Sequence, residues 1–404
     1  MSVEGLKLCR RCIMPETTEG LDFDDNGICR ACASSEQKMH ISWQERREKL
    51  EQILDHAKAL AKENGSTYDC MVPISGGKDS VFQLHILTKV FKLRVLAVTF
   101  SHNWYSEIGY YNLVNCLEEF SVDHIQMTPA RSTVNTAARK SLKAIGDACW
   151  HCHSGVGAFP LHIAVGFKIP LLIWGESIAE MSGRASHFDP VRKFDRDYFI
   201  KVSAKVRVDE FADTEEEKRA YQIFEPPSFE ECEEAGITGI HLGDFIFWDE
   251  EKQTEFIKRA YHWMEDDVGG AYKGYKSVEC IMPGVHDFTN YLKRGFGRAT
   301  VQASMDVRQG LMLREDALRL AEIVDRKEPK ALAYYLQETG YTKEEFYQIM
   351  ENQKFKQLNS RRIPVEDVTD DDSKELIPFV VQFIKEIREK YSGGDTRLSE
   401  KIEG

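Results

Sequence analysis

Short apolar runs alternate with amphipathic patterns through the first half of the chain. Their spacing predicts strands over 69–74, 94–100, 122–127 and 169–174, with helices over 80–91, 106–119, 134–145 and 154–167. Apolar strands that alternate with helices are typical of βαβ units, because helices cover both faces of a parallel sheet. The pattern therefore predicts an α/β fold with a doubly wound parallel sheet.

Changes in this pattern divide the chain into five predicted segments. Polar residues and Pro226-Pro227 interrupt the pattern from about 178 to 235, and helical patterns dominate the last third. The segments are a cysteine-bearing ribbon at 1–40, a helical linker at 41–65, the α/β core at 66–180, a substrate-facing insertion at 181–245 and a mainly helical C-terminal region at 246–404. Helices in the last segment are predicted over 246–264, 306–326, 329–339, 342–353 and 373–391.

The charge of the chain argues against a nucleic-acid partner. The net charge is −13 and the pI about 5.5, so the average surface repels a polyanion, although Lys293–Arg314 forms either a local basic patch or a solvated helix face. No apolar run reaches about 18 residues and the N-terminus lacks a signal-peptide core, so we expect a cytoplasmic protein with no membrane partner. Ten cysteines in such a chain favour metal or redox chemistry over disulfides.

The stretch Ser75–Ser80 links the first predicted strand to the helix behind it and reads Ser-Gly-Gly-Lys-Asp-Ser. Paired glycines let backbone N–H groups converge on one anion, and a helix N-terminus adds further donors. Lys78 brings a positive charge, and Asp79 beside a phosphate makes sense chiefly as a magnesium ligand. The predicted phosphate-binding residues are Ser75, Gly76, Gly77, Lys78, Asp79 and Ser80, of which Lys78, Asp79 and Ser80 are also predicted to be catalytic.

Cysteines near the N-terminus have the spacing of a zinc site. Two Cys-x-x-Cys pairs, Cys9 with Cys12 and Cys29 with Cys32, are separated by sixteen residues. Each pair forms a tight knuckle in a zinc ribbon, and four thiolates complete a tetrahedral site. We predict a structural zinc ion here, because four protein ligands leave no open position for chemistry.

A second cluster, Cys149-Trp-His-Cys-His153, has several interpretations. It contains the Cys-x-x-Cys-His pattern of c-type haem attachment, which we exclude because that attachment occurs outside the cytoplasm. The pair can instead be redox-active, or the polar side chains can line the mouth of an active site and steer its substrate. We predict Cys149, His151, Cys152 and His153 as substrate-binding residues.

The loop at Ser75–Ser80 is not a Walker A motif, since Val72 and Asp79 stand where that motif needs Gly and Ser/Thr. It resembles the PP-loop, Ser-Gly-Gly-x-Asp-Ser, of the ATP pyrophosphatase superfamily. The resemblance implies cleavage of ATP between the α- and β-phosphates and adenylation of a carbonyl or amide oxygen. A nitrogen or sulfur nucleophile then displaces AMP.

Two further strand ends are assigned by the same resemblance. It implies that Thr99 and Phe100 contact adenine through their backbone. It also implies that the loop with Gly175 and Glu176 faces the nucleotide, where Glu176 contacts Mg²⁺ or an amide group. An ordinary turn at the end of the strand explains this second pair equally well.

A set of longer stretches narrows the resemblance. The set consists of Cys-Arg-Arg-Cys-Ile-Met-Pro-Glu-Thr (9–17), the loop, Cys-Trp-His-Cys-His-Ser-Gly (149–155), Ile-Pro-Leu-Leu-Ile-Trp-Gly-Glu-Ser (169–177), Gly-Ile-His-Leu-Gly-Asp-Phe (239–245), Gly-Phe-Gly-Arg-Ala-Thr (295–300) and Asp-Val-Arg-Gln-Gly (306–310). It looks like the N-acetyl sugar amidotransferase family, the WbpG/PseA-like group of lipopolysaccharide and nonulosonic-acid biosynthesis. The resemblance implies that the N-acetyl group of an activated sugar becomes an acetamidino group, with release of AMP and pyrophosphate.

This family assignment implies a nitrogen donor and a sugar site. The chain has no Gly-x-Cys-x-Gly elbow, and Ser2 stands where an N-terminal nucleophile glutaminase needs cysteine. We therefore expect a separate glutaminase subunit to supply ammonia, with or without a channel-forming subunit. Arg298, Arg308 and Arg314 are expected to bind the sugar's carboxylate or phosphates; His241, Asp244 and His286 are expected to line the same pocket.

Two alternatives remain. An iron–sulfur-dependent PP-loop tRNA thiolase uses the same core, and some such enzymes hold the cluster with a Cys-x-x-Cys pair and a distant third cysteine. Cys149, Cys152 and Cys232 would supply that set here. A non-enzymatic zinc-ribbon adaptor that binds nucleotide is the other alternative, and the intact Lys78–Asp79 pair argues against it. The acidic balance and the long C-terminal region favour the amidotransferase.

Overall fold

A parallel sheet organises the centre of the molecule. The computed structural model describes residues 5–181, 185–190, 206–267, 269–359, 361–368 and 376–392. The strands of the sheet are β1 (Cys70–Pro73), β2 (Val95–Phe100), β3 (Asp123–Met127), β4 (Leu171–Trp174) and β5 (Thr238–His241). All pairings are parallel, in the order β3-β2-β1-β4-β5, which confirms the predicted doubly wound sheet.

The strand order reverses at β1, which pairs with β2 on one side and with β4 on the other. The connections that follow β1 and β4 therefore lead away in opposite directions. They leave a crevice at the carboxyl ends of these two strands, where sheets of this type bind their ligands. The loop that begins at Ser75 opens into this crevice.

The fifth strand lies within the segment predicted as an insertion at 181–245. β5 runs beside β4 from the Leu171–Thr238 pair to the Trp174–His241 pair, so the sheet extends past the predicted core boundary at 180. This edge strand is short and half exposed, with Ile240 as its one aliphatic side chain. It therefore lacks the apolar run by which the other strands were predicted.

Helices cover the sheet and build the C-terminal region. In the first half they are Arg30–Gln37, Trp43–Glu63, Lys78–Leu84, which continues as a π-helical stretch His85–Val90, Glu107–Phe120, Arg131–Ile145, Trp150–Phe167 and Ile178–Met181. In the second half they are Val208–Phe211, Glu215–Tyr221, Phe229–Glu234, Glu250–Tyr261, Pro283–Arg294, Arg298–Gln309, Arg314–Asp325, Leu332–Thr339, Lys343–Asn352 and Phe379–Ser392. Across the described ranges, no helix is both long and apolar enough to cross a membrane.

The helix predicted over 306–326 is two helices. Arg298–Gln309 ends at Gly310, whose φ of +75° is the left-handed conformation of a helix C-cap, and Arg314–Asp325 begins shortly after it. The helix Pro283–Arg294 was not predicted, because proline and glycine open it. Proline is nevertheless well accommodated in a first turn, where no N–H is needed.

Alternate side chains of β1 enter two cores on opposite faces of the sheet. Cys70 and Val72 pack in the cluster that contains Trp263, whereas Met71 packs in the cluster that contains Trp150. A third core, which includes Phe346, joins the C-terminal helices to the rest. Because β1 is held from both faces, the loop at its end has a rigid base.

Candidate active site

The loop after β1 has the backbone that a phosphate site requires. Gly76 has a φ of +84°, and a Cβ at this position would lie 2.6 Å from the backbone nitrogen of Leu113 and 2.9 Å from the carbonyl oxygen of Gly109. Only glycine fits here without displacing the helix Glu107–Phe120. The indole Nε1–H of Trp263 donates to the Gly76 carbonyl at 2.9 Å, which fixes the loop from its other side.

Hydroxyl groups hold the turn from within. Ser75 Oγ accepts a hydrogen bond from the Gly77 N–H at 3.3 Å, and Ser80 Oγ donates to the Gly77 carbonyl at 2.9 Å. Gly77 is the N-cap of the helix that starts at Lys78. The turn and the first helical N–H groups therefore lie together at the mouth of the crevice.

Lys78 is buried among carboxylates. Its side chain is 4% exposed, and its Nζ lies 2.6 Å from Asp79 Oδ1 and 3.5 Å from Glu250 Oε1. Burial by itself would lower the pKa of Lys78, but the charges of Asp79, Glu250 and Glu176 outweigh burial and hold this pKa above its ordinary value. Glu250 also accepts from Lys276 at 2.5 Å, so it ties two lysines to the loop.

Glu176 places a further carboxyl near Asp79. Its Oε1 is buried without a hydrogen-bond partner among the described residues, and burial together with the charge of Glu250 raises its pKa well above the ordinary value. The preceding Gly175 permits this approach, because a Cβ there would lie 2.8 Å from Gln83 Nε2 and 3.3 Å from the Cβ of Asp79. A divalent cation between Asp79 and Glu176 would relieve the cost of this burial.

Glu279 is a fourth carboxyl near the loop, after Asp79, Glu250 and Glu176, and no sequence motif predicts it. Its Oε2 would lie 3.4 Å from a Cβ at Gly77, and this oxygen has no hydrogen-bond partner among the described residues. Burial raises the pKa of Glu279, and the charge of Arg298 partly opposes this rise. The backbone of Glu279 packs on Gly109, where a Cβ would meet its Cα at 2.2 Å. The side chain therefore faces the loop from the C-terminal region.

The end of β2 lies next to the loop. The Thr99 hydroxyl donates to the Ile74 carbonyl at 2.8 Å and lies 2.8 Å from His124 Nε2. Phe100 packs edge-on against Phe224, with ring centroids 5.8 Å apart. Both side chains therefore pack in the protein interior. Their backbone is the part that can face a nucleotide, which agrees with what the resemblance implies.

Three cysteines lie near Glu279. Cys149 and Cys152 lie at the start of the helix Trp150–Phe167, and Cys280, from a distant part of the chain, directly follows Glu279. Burial raises the pKa of all three thiols, to about 12 for Cys152. The pKa of Cys149 rises further because of the charge of Asp147 and, to a smaller extent, because of Cys280 and Cys152. We call Cys149, Cys152 and Cys280 the cysteine trio.

Cys232 is not the third member of this group, contrary to the interpretation as an iron–sulfur site. Cys232 lies in the helix Phe229–Glu234, which leads into the start of β5 at the amino ends of the strands. The cysteine trio lies at the other end of the helix Trp150–Phe167. An 18-residue helix is about 27 Å long, so the two positions lie towards opposite edges of the sheet.

The histidines of the second cluster separate. His151 is fully buried and packs edge-on against Trp104 at 4.7 Å between ring centroids, and burial lowers its pKa to about 3. His153 instead points to the opening, with 36% of its side chain exposed, and faces Asp147 and His286. His153 therefore remains available to a ligand, whereas His151 supports the wall behind it.

The predicted pocket residues from the fifth strand are also buried. Ser177 Oγ donates to Asp244, which ties the loop after β4 to the loop after β5. His241 ends β5, and burial lowers its pKa to about 4. These contacts connect the strand ends to each other.

The four N-terminal cysteines converge as predicted. Cys9 Sγ lies 3.8 Å from Cys32 Sγ, and Cys12 Sγ lies 3.7 Å from Cys29 Sγ, with all four side chains buried. Four buried sulfurs at such distances fit a tetrahedral metal ion. The thiolates present also suit other soft metals, so zinc stays a prediction.

Two of the predicted sugar-binding arginines contact this ribbon. Arg314 donates to the carbonyl oxygens of Cys12 and Cys9 at 3.0 and 3.1 Å. Arg308 Nη1 lies 3.9 Å from Cys12 Sγ. Arg298 alone of the three lies near the loop, where it pairs with Asp287 and influences Glu279. These contacts give Arg308 and Arg314 a role in docking and charge balance at the ribbon.

A doubly wound parallel sheet with Ser-Gly-Gly-Lys-Asp-Ser at the carboxyl end of its central strand is the arrangement that the resemblance to PP-loop proteins implies. Residues 254–365 match the family model described as LPS biosynthesis protein WbpG-like, C-terminal domain. The chain therefore carries a WbpG-like C-terminal domain, and the predicted resemblance is confirmed at that level.

Individual relatives are more distant. An uncharacterized protein of Methanocaldococcus jannaschii is 28% identical over 116 residues, which cover 28% of this chain and 40% of that relative. The chain thus spans less than half the length of this curated relative. Among solved structures, the NMN synthetase of Francisella tularensis is 12% identical, with a TM-score of 0.35, and the match covers 70% of this chain and 93% of that one. The U34-tRNA thiolase NcsA of Methanococcus maripaludis, solved with its 4Fe–4S cluster, is 14% identical, with a TM-score of 0.31 and coverage of 78% and 88%.

Proposed function

We propose that the chain is the ATP-dependent synthetase subunit of a cytoplasmic amidotransferase. It adenylates the N-acetyl amide oxygen of an activated bacterial surface sugar, and ammonia then replaces that oxygen to give an acetamidino group. The carrying observation is that an intact loop with Lys78 and Asp79 occurs in the same chain as a WbpG-like C-terminal domain.

The reaction needs an activated oxygen, because an amide is a poor electrophile and its oxygen is a poor leaving group. Attack of the amide oxygen on the α-phosphorus of ATP forms an O–P bond and expels pyrophosphate. Ammonia then adds to the activated carbon, and the C–O bond breaks as AMP leaves with that oxygen. Positioning and charge stabilisation suffice for both steps, and no covalent protein nucleophile is needed.

Each residue of the loop would have its own part in binding the phosphates of ATP. The N–H groups at Gly76 and Gly77, with the hydroxyls of Ser75 and Ser80, would hold phosphate oxygens. Lys78 would neutralise the charge that develops on pyrophosphate, and its contact with Glu250 keeps its Nζ at the loop.

The carboxyl groups fit a magnesium ion carried in with ATP. Asp79 and Glu176 are near enough for their charges to interact, and one oxygen of Glu176 is buried without a partner among the described residues. Mg²⁺ would spread the charge of the departing pyrophosphate. Its binding would also favour ionisation of Glu176, whose pKa is raised in the free protein.

The substrate side of the crevice is assigned to Glu279 and Arg298. Arg298 carries a guanidinium that can recognise a carboxylate or phosphate in a fork geometry, and its present partners are Asp287 and Ser277. Glu279 faces the loop and can hold the amino or hydroxyl group of a sugar. Ammonia would come from a separate glutaminase subunit, with or without a channel-forming subunit.

An AMP-formation assay tests the proposal. Full-length protein is mixed with ATP, Mg²⁺, ammonium and a panel of N-acetylated sugars, free and nucleotide-linked, and AMP is measured. We expect AMP formation that depends on one sugar class and is lost in Lys78→Ala. Lys89→Ala, which removes an exposed lysine from the same helical segment, should keep it.

Two results would count against this function. Wild-type protein that forms no sugar-dependent AMP with any member of the panel contradicts the substrate class. A Lys78→Ala variant that stays active while Lys89→Ala behaves identically contradicts the assigned role of the loop. Metal content at the ribbon, measured in the same samples, should be equal in all three proteins and so excludes general unfolding.

A sulfur-transferring enzyme is the second candidate, because the cysteine trio lies next to Glu279. It would use these thiols to carry sulfur or a cluster to an adenylated base. Anaerobic purification distinguishes the two candidates. Iron bound by wild-type protein and lost in Cys280→Ser, together with AMP formation that depends on tRNA instead of a sugar, would favour the thiolase.

A further inference from the structure

We infer that Asp147, His153 and His286 form a second metal site, which binds a divalent transition-metal ion such as Zn²⁺ and keeps one coordination position open. We call these residues the Asp147 triad. The site is separate from the N-terminal ribbon and does not depend on the amidotransferase proposal.

The geometry of the Asp147 triad is close to that of a tetrahedral site. His286 Nδ1 lies 3.2 Å from Asp147 Oδ1, and His153 Nδ1 lies 3.7 Å from Asp147 Oδ2. One donor atom from each residue lies within 4.8 Å of the other two. Ligand atoms around tetrahedral zinc, with bonds of about 2.0–2.1 Å, are about 3.3 Å apart, so small side-chain rotations suffice.

Two helices hold the three side chains in this arrangement. Asp147 precedes the helix Trp150–Phe167 and accepts the backbone N–H of Cys149 at 2.8 Å, which fixes its carboxylate. His153 lies one turn into the same helix. His286 comes from the helix Pro283–Arg294, and its ring meets that of His153 at 81° with centroids 4.7 Å apart. The site therefore ties the α/β core to the WbpG-like domain.

The donor types suit a divalent transition metal. Two imidazole nitrogens and one carboxylate oxygen are ligands that ions such as Zn²⁺ bind.

Asn290 completes the surroundings of His286. Its side-chain amide lies 3.1 Å from His286 Nε2. The end of an amide offers both a donor and an acceptor, so after rotation it can accept from Nε2–H while Nδ1 binds the metal. Such a partner on the second ring nitrogen is the usual companion of a metal-bound histidine, because it orients the ring.

The exposure of the triad leaves room for a further ligand. The side chain of Asp147 is only 3% exposed, whereas that of His153 is 36% exposed. The site is therefore buried at Asp147 and accessible to solvent at His153. Three protein ligands with an open position are typical of catalytic metal sites, whereas four are typical of structural ones. Water, or an oxygen or nitrogen atom of a substrate, would occupy that position.

Metal stoichiometry tests the inference on the full-length chain. The protein is loaded with Zn²⁺, desalted and analysed for metal per chain. Wild type should retain two equivalents, whereas His153→Ala and His286→Ala should each retain the ribbon equivalent alone. His56→Ala, which removes an exposed histidine from the helix Trp43–Glu63, should retain two. Loss of outer-shell partners alone weakens metal binding by about 10–100-fold, so loss of a ligand should weaken it by more than about 100-fold.

Cobalt identifies the donors. The Co²⁺ spectrum of wild type minus that of His153→Ala should contain d–d bands without a thiolate charge-transfer band. A thiolate band in this difference would overturn the assigned donors and place a cysteine of the trio on the metal. One equivalent in wild type, or two in His153→Ala, would overturn the site itself. The ribbon equivalent retained by each variant reports that it is folded.

Discussion

Replacement of Gly76 by alanine is the most direct test of the loop geometry. Two costs add at this position. A residue with a Cβ at a left-handed φ, here +84°, costs about 1–2 kcal/mol. The new methyl would also lie 2.6 Å from Leu113 N and 2.9 Å from Gly109 O, which are backbone atoms that cannot rotate away, and such overpacking costs about 1–3 kcal/mol. The sum is about 2–5 kcal/mol of folding stability.

Gly65→Ala provides a matched control. Gly65 also has a positive φ, +71°, but a Cβ there would have nothing within 4 Å. The Gly65→Ala variant should therefore be less stable than wild type by only the backbone cost of about 1–2 kcal/mol. Urea unfolding should therefore show a difference of about 1–3 kcal/mol between the free energies of unfolding of the two variants. This difference measures the cost of the close approach between the loop and the helix Glu107–Phe120.

The functional consequence should separate the two variants more strongly. If Gly76→Ala folds, it does so by shifting the loop, and the N–H groups lose their common focus. AMP formation should then fall at least tenfold in Gly76→Ala and stay near wild type in Gly65→Ala. Equal stability and equal activity of the two variants would refute the reasoning, because the close approach would then have no energetic effect.

Two other predictions concern regions away from the loop. Burial lowers the pKa of His102 to about 4. Below about pH 6.5 the unfolded chain therefore binds a proton at this residue, whereas the native protein does not. The free energy of unfolding consequently falls by about 1.4 kcal/mol per pH unit as the pH drops from about 6.5 towards 4. His102→Asn should reduce the slope of unfolding free energy against pH by that amount in this window; an unchanged slope would contradict it. Arg314→Ala should release the ribbon metal to a chelator faster than wild type, since its charged hydrogen bonds to Cys9 and Cys12 contribute about 1.5–3 kcal/mol. Normal metal retention together with a raised KM for the sugar would contradict this role and would indicate that Arg314 binds the sugar.

The parts that could be predicted from the sequence are those that local spacing determines. The strand β1 and the loop at 75–80 are contiguous, so their order along the chain fixes their order in space. The same holds for the cysteine pairs at 9–12 and 29–32, which converge as predicted.

The parts that could not be predicted come from distant segments of the chain. Glu250 and Glu279 reach the loop from positions about 170 and 200 residues later, and neither stands in a recognisable motif. The third cysteine beside Cys149 and Cys152 was assigned to Cys232 because spacing cannot tell which of several cysteines returns to the pair. The C-terminal fold decides this in favour of Cys280.

The docking of the ribbon has a consequence for how the chain folds during synthesis. Ile13 packs against Ala303 and Ala317, and the four cysteines pack with Phe296, so this surface is made roughly 280 residues after the ribbon itself. At about 5–20 residues per second, the ribosome needs roughly 15–60 s to produce it. During that interval the first segment is without its docking surface. Metal capture by the nascent N-terminus would therefore precede burial, and a cell short of the metal would accumulate chains whose last assembly step is blocked.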